Sequence, residues 1–174
     1  MKDEDTDRMG EVLRDGENVT LRYVRELKHP PQKVWAALTE SQHLRAWMPI
    51  DLVGERVVGA KLTARFWPDF VAKYGIDQPD LPAEILVWSP PNTLEWRWGE
   101  DILRFELTVS PVGTRLVFTT KLDTREVPGH KTGAGYHLCL KCLREYLDTQ
   151  RVEVALLDQK TEQLEARYAE TFAS

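Results

Sequence analysis

The chain is poor in the residues that usually carry covalent or metal chemistry. It has two cysteines and four histidines among 174 residues. Two cysteines cannot build a disulfide framework, so a reduced, cytosolic protein is the simplest reading. No apolar run approaches the roughly 20 residues that a helix needs to span a bilayer. The opening stretch "MKDEDTDRMGEVLRDGEN" is acidic and lacks an apolar h-region, so no signal peptide is expected. No basic stripe is present to attract a phosphate backbone, which argues against a nucleic-acid partner. The phosphate-cradling and zinc-protease motifs are missing, and no carboxylate cluster offers metal ligation. No cofactor and no metal are expected. No set of nucleophile, base and orienting residue can be assembled, which disfavours an enzyme without excluding one.

What charge there is sits at the ends. Net charge is −5, with −4 in residues 1–17 and −2 in residues 151–174, so the body is near +1. This divides the chain into a mobile acidic head (1–17), a folded body (18–150) and a helical extension (151–174).

The body is rich in aromatics, with six Trp, five Tyr and five Phe in the whole chain. "NVTLRYVREL" alternates as a strand, with Leu21, Tyr23, Arg25 and Leu27 on one face. Arg25 reads as an exposed strand-end charge or a cation at a cavity rim. "HPPQKVWAALTE" predicts a helix with Pro31 in its first turn, and "SQHLRAWMP" a second short one capped by Ser41 and stopped by Pro49. From Asp51 to Asp123 the pattern is almost all strand. Inward sets are Leu62, Ala64 and Phe66; Ala83, Ile85 and Val87; Leu94, Trp96 and Trp98; Leu103, Phe105, Leu107 and Val109; and Leu116, Phe118 and Leu122. Short links with turn chemistry make neighbouring strands antiparallel. Residues 68–82, with three Pro, one Gly, Phe70 and Tyr74, break this rhythm as a packed excursion, either a surface loop or a lid. After Gly129 the apolar spacing turns helical through Tyr136, Cys139, Leu140, Leu143, Tyr146 and Leu147. Gly133 and Gly135 at that helix's start would let it approach the sheet. Leu157, Leu164, Tyr168 and Phe172 continue the stripe in the tail, packing on the chain's own domain or on a second copy as a homodimer. The expected fold class is α+β: a curved antiparallel sheet wrapped around a long C-terminal helix, with two short helices after the first strand.

"HPPQKVWAALTESQHLRAWMP" resembles the signature of the SRPBCC superfamily of helix-grip proteins, in its activator-of-heat-shock-protein-90-ATPase-like branch. "AEILVWSPPNTLEWRW", "SPVGTRLVFTTKLD" and "GYHLCLKCLREYLD" are similar to that branch's later hairpins and closing helix, in the same order. The likeness covers about residues 18–150; residues 68–82 and the tail depart from it. It implies a cavity between sheet and long helix for a small hydrophobic ligand. It also implies relatives that are cyclases or other enzymes, and others that stimulate a chaperone ATPase, so fold alone does not assign function.

The candidate cavity residues are Trp47, Phe66, Trp96, Trp98, Phe105, Phe118, Tyr136, Cys139 and Leu143. Trp35 is read as core. Cys139 and Cys142 form a C-x-x-C that in principle suits a redox pair or half a zinc site. A redox pair would open a helix, where the dipole lowers a thiol pKa, whereas these lie a turn or more inside. His137 points away from Cys139. The pair is read as structural, with Cys139 on the buried stripe as a cavity wall and Cys142 at its edge. His29, His43 and His130 are scattered and read as surface histidines.

Overall fold

The computed structural model describes residues 8–123, 127–151 and 159–174. Eight strands form one sheet: β1 (Glu11–Asp15), β2 (Asn18–Leu27), β3 (Ile50–Val53), β4 (Lys61–Phe66), β5 (Asp80–Ser89), β6 (Thr93–Trp98), β7 (Asp101–Ser110) and β8 (Gly113–Leu122). Among the described residues five helices accompany them: α1 (Pro31–Thr39), α2 (Ser41–Leu44), α3 (Pro68–Tyr74), α4 (Gly129–Thr149) and α5 (Glu162–Ala173). The strand order is β1-β2-β8-β7-β6-β5-β4-β3, and every neighbouring pair is antiparallel. The α+β helix-grip expected from the alternation is the fold observed.

Alternation decides which side chains meet across the sheet. Register places Tyr23 opposite Phe118, Phe118 opposite Phe105, Phe105 opposite Leu94, and Leu94 opposite Trp88. That row crosses five strands and forms the spine of the core. The Phe105 and Phe118 rings stack at 4.5 Å, and Tyr23 stacks on Phe118 at 5.8 Å. Trp88 joins the row through a β-bulge between Ile85 and Val87. The alternation puts Val87 inside and Trp88 outside; the extra residue reverses both, pairing Val87 with Glu95. Trp88 then meets Trp35 edge-on at 5.1 Å, which ties α1 to the sheet. Val109, also expected inside, is 81% exposed because its end of β7 runs past the core.

The short helices follow their proline signals more closely than their caps. α1 opens on Pro31, as expected. Ser41 is the first helical residue of α2 and not its cap; Glu40 holds that position without a side-chain bond. Residues 68–74, read as part of a loop, form α3, with Pro at its start and left-handed Gly75 (φ 60°) ending it.

Two sequence expectations about the ends change. Residues 11–15, assigned to the acidic head, form β1, which folds back on β2 through a two-residue turn where Gly16 takes φ 59°. The tail's apolar stripe, as far as it is described, is covered by the chain itself; Leu157 lies outside the described residues. Tyr168 of α5 is fully buried, and its hydroxyl accepts the Gly10 N–H at 2.8 Å and meets His137 Nδ1 at 3.0 Å. Gly133 does not face the sheet with bare backbone. It lies in the second turn of α4, where an added Cβ would sit 2.9 Å from the Tyr168 ring. A Cβ at Gly129 would likewise collide with Phe172, at 2.3 Å. The two glycines are the seats for α5. Arg25 is also corrected: it is 2% exposed, over the Tyr23 ring, and donates to the Arg8 carbonyl at 2.9 Å.

The tight seat at Gly133 gives a test. Gly133→Ala gains about 1 kcal/mol of helix propensity but forces Tyr168 to shift at an overpacking cost of about 1–3 kcal/mol. The expected outcome is a net loss, read by chemical denaturation, with α5 loosening in hydrogen exchange. A stabilised variant with unchanged exchange in α5 would refute the seat.

Candidate functional site

α4 is long enough to do two things on one sheet. Its second half is core: Leu140, Leu143 and Leu147 are buried on the sheet and α1 side. Its first half stands off from β4–β6 and leaves a cavity of about 680 Å³. The cavity's walls include Phe66 of β4 and Trp98 of β6; Phe70 and Tyr74 of α3; Gly135, Tyr136, Leu138 and Cys139 of α4; Gly99 and Glu100 of the β6–β7 turn; and Asp101 at the start of β7. α3 is held in place at its start. The Trp67 indole N–H donates to the Met48 carbonyl at 2.9 Å, Arg45 lies over the Trp67 ring, and Arg45 pairs with Asp69.

Of the nine residues expected at a cavity, the structure brings four to one: Phe66, Trp98, Tyr136 and Cys139. The other five are core. Trp47 is 2% exposed, donates its indole N–H to the Ala37 carbonyl at 2.8 Å, and meets Phe105 edge-on. Phe105 and Phe118 belong to the stacked spine. Leu143 is fully buried, and Trp96 lies stacked behind Trp98 at 5.9 Å. Trp98 itself offers area and a π face, because its Nε1 is buried without an acceptor among the described residues.

Sequence reasoning missed the polar end of the cavity. Asp101 falls on the inner face two residues before Leu103, and its Oδ1 accepts the Asp123 backbone N–H at 2.8 Å. Burial pushes its carboxyl pKa up, and the neighbouring charges of Asp123 and Glu100 push the same way, against the hydrogen bond from Asp123. Tyr136 carries the matching effect: burial, then the charge of Asp101, holds its phenol well above the ordinary range. Lys131 and Asp123 also line the cavity. The only sequence signal for Asp101 was its place directly after the Gly99-Glu100 turn, where a turn role absorbs an acidic residue.

The C-x-x-C is structural in its surroundings. Both thiols are buried and free. Burial, then the neighbouring Cys142, raises the Cys139 pKa strongly, and burial raises Cys142 to about 11. Cys142 is fully packed, not at the stripe's edge as the helical spacing suggests. Among the described residues no group of three or more His, Cys, Asp or Glu comes together. The histidines serve other contacts. His29 pairs with Asp148 at 2.7 Å, His43 meets the Tyr146 hydroxyl, His130 lies in the first turn of α4, and buried His137 holds Tyr168.

Two outcomes follow from these pKa directions. A carboxyl whose folded pKa is raised costs stability once pH exceeds the unfolded value. Asp101→Asn, which keeps an acceptor for the Asp123 N–H, is therefore expected to melt higher than the parent at neutral pH. The advantage shrinks as pH falls through the raised pKa and vanishes below the ordinary carboxylate range; a pH-independent difference in thermal melts would contradict this. Iodoacetamide at neutral pH is expected to label neither cysteine in the folded protein and both after denaturation, read by mass spectrometry.

The architecture recurs in solved structures. A conserved protein of unknown function from Enterococcus faecalis is 24% identical, with a TM-score of 0.76, covering 94% of this chain and 90% of that one. CalU16 from Micromonospora echinospora is 16% identical at a TM-score of 0.64, covering 96% and 98%. MLL2253 from Mesorhizobium loti is 23% identical at 0.61, covering 76% and 98%. At these identities the likeness shows the fold. No curated protein matches the chain. No helix among the described residues is long and apolar enough to cross a membrane. The family model described as Activator of Hsp90 ATPase homolog 1-like protein matches residues 28–148, a span that leaves out β1, β2 and α5; β1 and α5 are joined by the Arg14 bond to the Phe172 carbonyl. With most of its length matched, including α1, the whole β3–β8 run and nearly all of α4, the chain belongs to the Activator of Hsp90 ATPase homolog 1-like family, a branch of the SRPBCC helix-grip proteins.

Proposed function

We propose that this protein binds a small hydrophobic or amphipathic ligand in the cavity between α3, α4 and the β4–β6 part of the sheet, without transforming it. The observation that carries this reading is Gly135. A glycine inside a helix costs about 1 kcal/mol relative to alanine. Gly133 and Gly129 make room for packed rings, but a Cβ at Gly135 would meet nothing within 4 Å, and the residue lines the cavity. Space is kept where a packed core would fill it. The volume, about 680 Å³, falls in the range of small-molecule sites, and the walls are mostly aromatic and aliphatic with a few polar groups at one end. Ligand affinity would come from apolar area withdrawn from water, about 25 cal/mol per Å² before ordering costs.

A second reading, a cyclase- or hydrolase-type enzyme in the same cavity, is favoured by one group, the inward carboxyl of Asp101. Among the described residues no nucleophile is hydrogen-bonded to it, so it would act as a lone acid or base. The family's name points to stimulation of a chaperone ATPase, a role that would use an outer surface and need no cavity. A cytoplasmic site of action and a homodimer remain expectations of the sequence; two of the tail residues that suggested the dimer, Tyr168 and Phe172, pack on α4.

Gly135 also supplies the test. Gly135→Ala is expected to stabilise the fold by about 0.5–1 kcal/mol. Gly135→Leu is expected to keep the fold and fill the cavity, abolishing binding. Native mass spectrometry of the purified protein and titration with decanol, followed by tryptophan fluorescence, read both. Equal binding by the parent and Gly135→Leu, or a parent that carries and takes up nothing, would overturn the reading.

A further inference from the structure

α5 lies outside the family-matched span, yet the chain reaches the cavity where it begins. Thr161, the N-cap of α5, is part of the lining. α5 also holds the part of α4 that stands over open space. Gly129, Gly133 and His137 recur every four residues, which puts them on one face of α4. Phe172 packs at the first and the Tyr168 ring at the second, and the Tyr168 hydroxyl meets His137 Nδ1 at 3.0 Å. Between them in sequence lie Lys131, Thr132, Gly135 and Tyr136, which line the cavity. Helical turns beside a void lack packed atoms on that side to fix their height. Their height is set by what holds them elsewhere, here α5 and the Tyr23 hydroxyl on the Gly133 carbonyl.

The docking of α5 turns on one ring. The helix has 12 residues, a length at which an isolated helix is marginal in water, so its order comes from packing. Tyr168 is its one fully buried side chain, with Leu164 and Phe172 half-buried beside it. Polar ties run to the early part of the chain, from Gly10 to the Tyr168 hydroxyl and from Arg14 to the Phe172 carbonyl. A terminal element with so little buried apolar surface opens locally at low cost. Resting on the ligand-binding reading, we propose that α5 is a movable wall of the binding site: Tyr168 positions the cavity-lining turns of α4, Thr161 touches the ligand, and ligand binding and α5 docking strengthen each other. Undocking takes Thr161 out of the wall and releases the α4 turns, so the ligand has less to bind in the open form. That difference in affinity couples the two events. The coupling runs in both directions by the same factor.

Hydrogen exchange of the full-length parent, with and without saturating decanol, reads one direction. Decanol is expected to slow exchange in α5 and at the Gly10 amide by about tenfold or more. The β7–β8 hairpin tip, at the far end of β7 from the cavity, is expected to change by less than about twofold. Decanol titration of full-length variants, followed by tryptophan fluorescence, reads the other direction. Tyr168→Ala, which unseats α5, is expected to weaken binding by the factor seen in exchange, about tenfold or more. Tyr168→Phe keeps the ring at Gly133 and is expected to bind within about threefold of the parent. Decanol uptake with unchanged exchange in α5, or a folded Tyr168→Ala that binds as tightly as Tyr168→Phe, overturns the inference and leaves the ligand-binding reading standing. The exchange experiment uses the parent alone, so it decides the matter even where Tyr168→Ala does not fold. A parent that takes up no decanol overturns both.

Discussion

The rest of the molecule is arranged around the ring of Phe118. It stacks between Tyr23 and Phe105 within the sheet, and Tyr136 of α4 meets it edge-on at 5.1 Å. Phe105 in turn carries Trp47 from the turn after α2. One buried ring therefore connects three strands, the long helix and, through Phe105, the segment that follows α2. Aromatic pairs of this geometry add roughly 0.5–1.5 kcal/mol each beyond the area they bury. The more important effect is positional. Tyr136 is fixed where α4 crosses the sheet; past the cavity-lining Leu138 and Cys139 the helix packs down from Leu140 on, and its first turns lift away.

The cavity is the result of that lift. A helix held only by its second half would leave its first turns without partners, and the protein supplies them from α5 and from β2. α5 seats Tyr168 and Phe172 on the glycines of α4, and Tyr23 reaches up to donate to the Gly133 carbonyl at 2.7 Å. The C-terminal end is held by Lys33, which donates to the Leu147 carbonyl, and by His29 on Asp148. Cations near a helix C-terminus are favourable there. Open space and close packing are thus set on different faces of the same stretch of helix: Gly133 faces α5, and Gly135, two residues on, faces the cavity.

Much of the fold could be read from alternation, because half-buried antiparallel strands leave a period-two record. The strands β2 and β4–β8, the proline-led α1 and the closing helix all follow from it. What could not be read was geometry that interrupts a period without changing composition. The bulge in β5 exchanges Val87 and Trp88 with no residue that announces it. β1 hides behind its charges. Gly133 and Gly135 look alike in sequence, and only the arrival of Tyr168 tells them apart. At the site, five of nine predicted aromatic and aliphatic positions proved to be core, since a ring facing a void and a ring facing another ring leave the same pattern. Asp101 was passed over because a turn already explains an acidic residue there. The buried Arg25 needed a partner from the chain's beginning, the Arg8 carbonyl, that no local pattern reveals.

An open sheet has two unpaired margins, here β1 and β3. Such margins invite another copy's strand to continue the ladder. β3 limits the opportunity by being four residues long and ending before Gly54, which takes φ 136°. β1 uses charge. Glu11, Arg14 and Asp15 stand along it, Glu11 is engaged by Arg22, and Arg14 reaches across to the Phe172 carbonyl of α5 at 2.6 Å. Residues 11–15, which in sequence looked like part of an acidic head, therefore line the sheet's flank with charged side chains, the kind that disfavour edge-to-edge pairing.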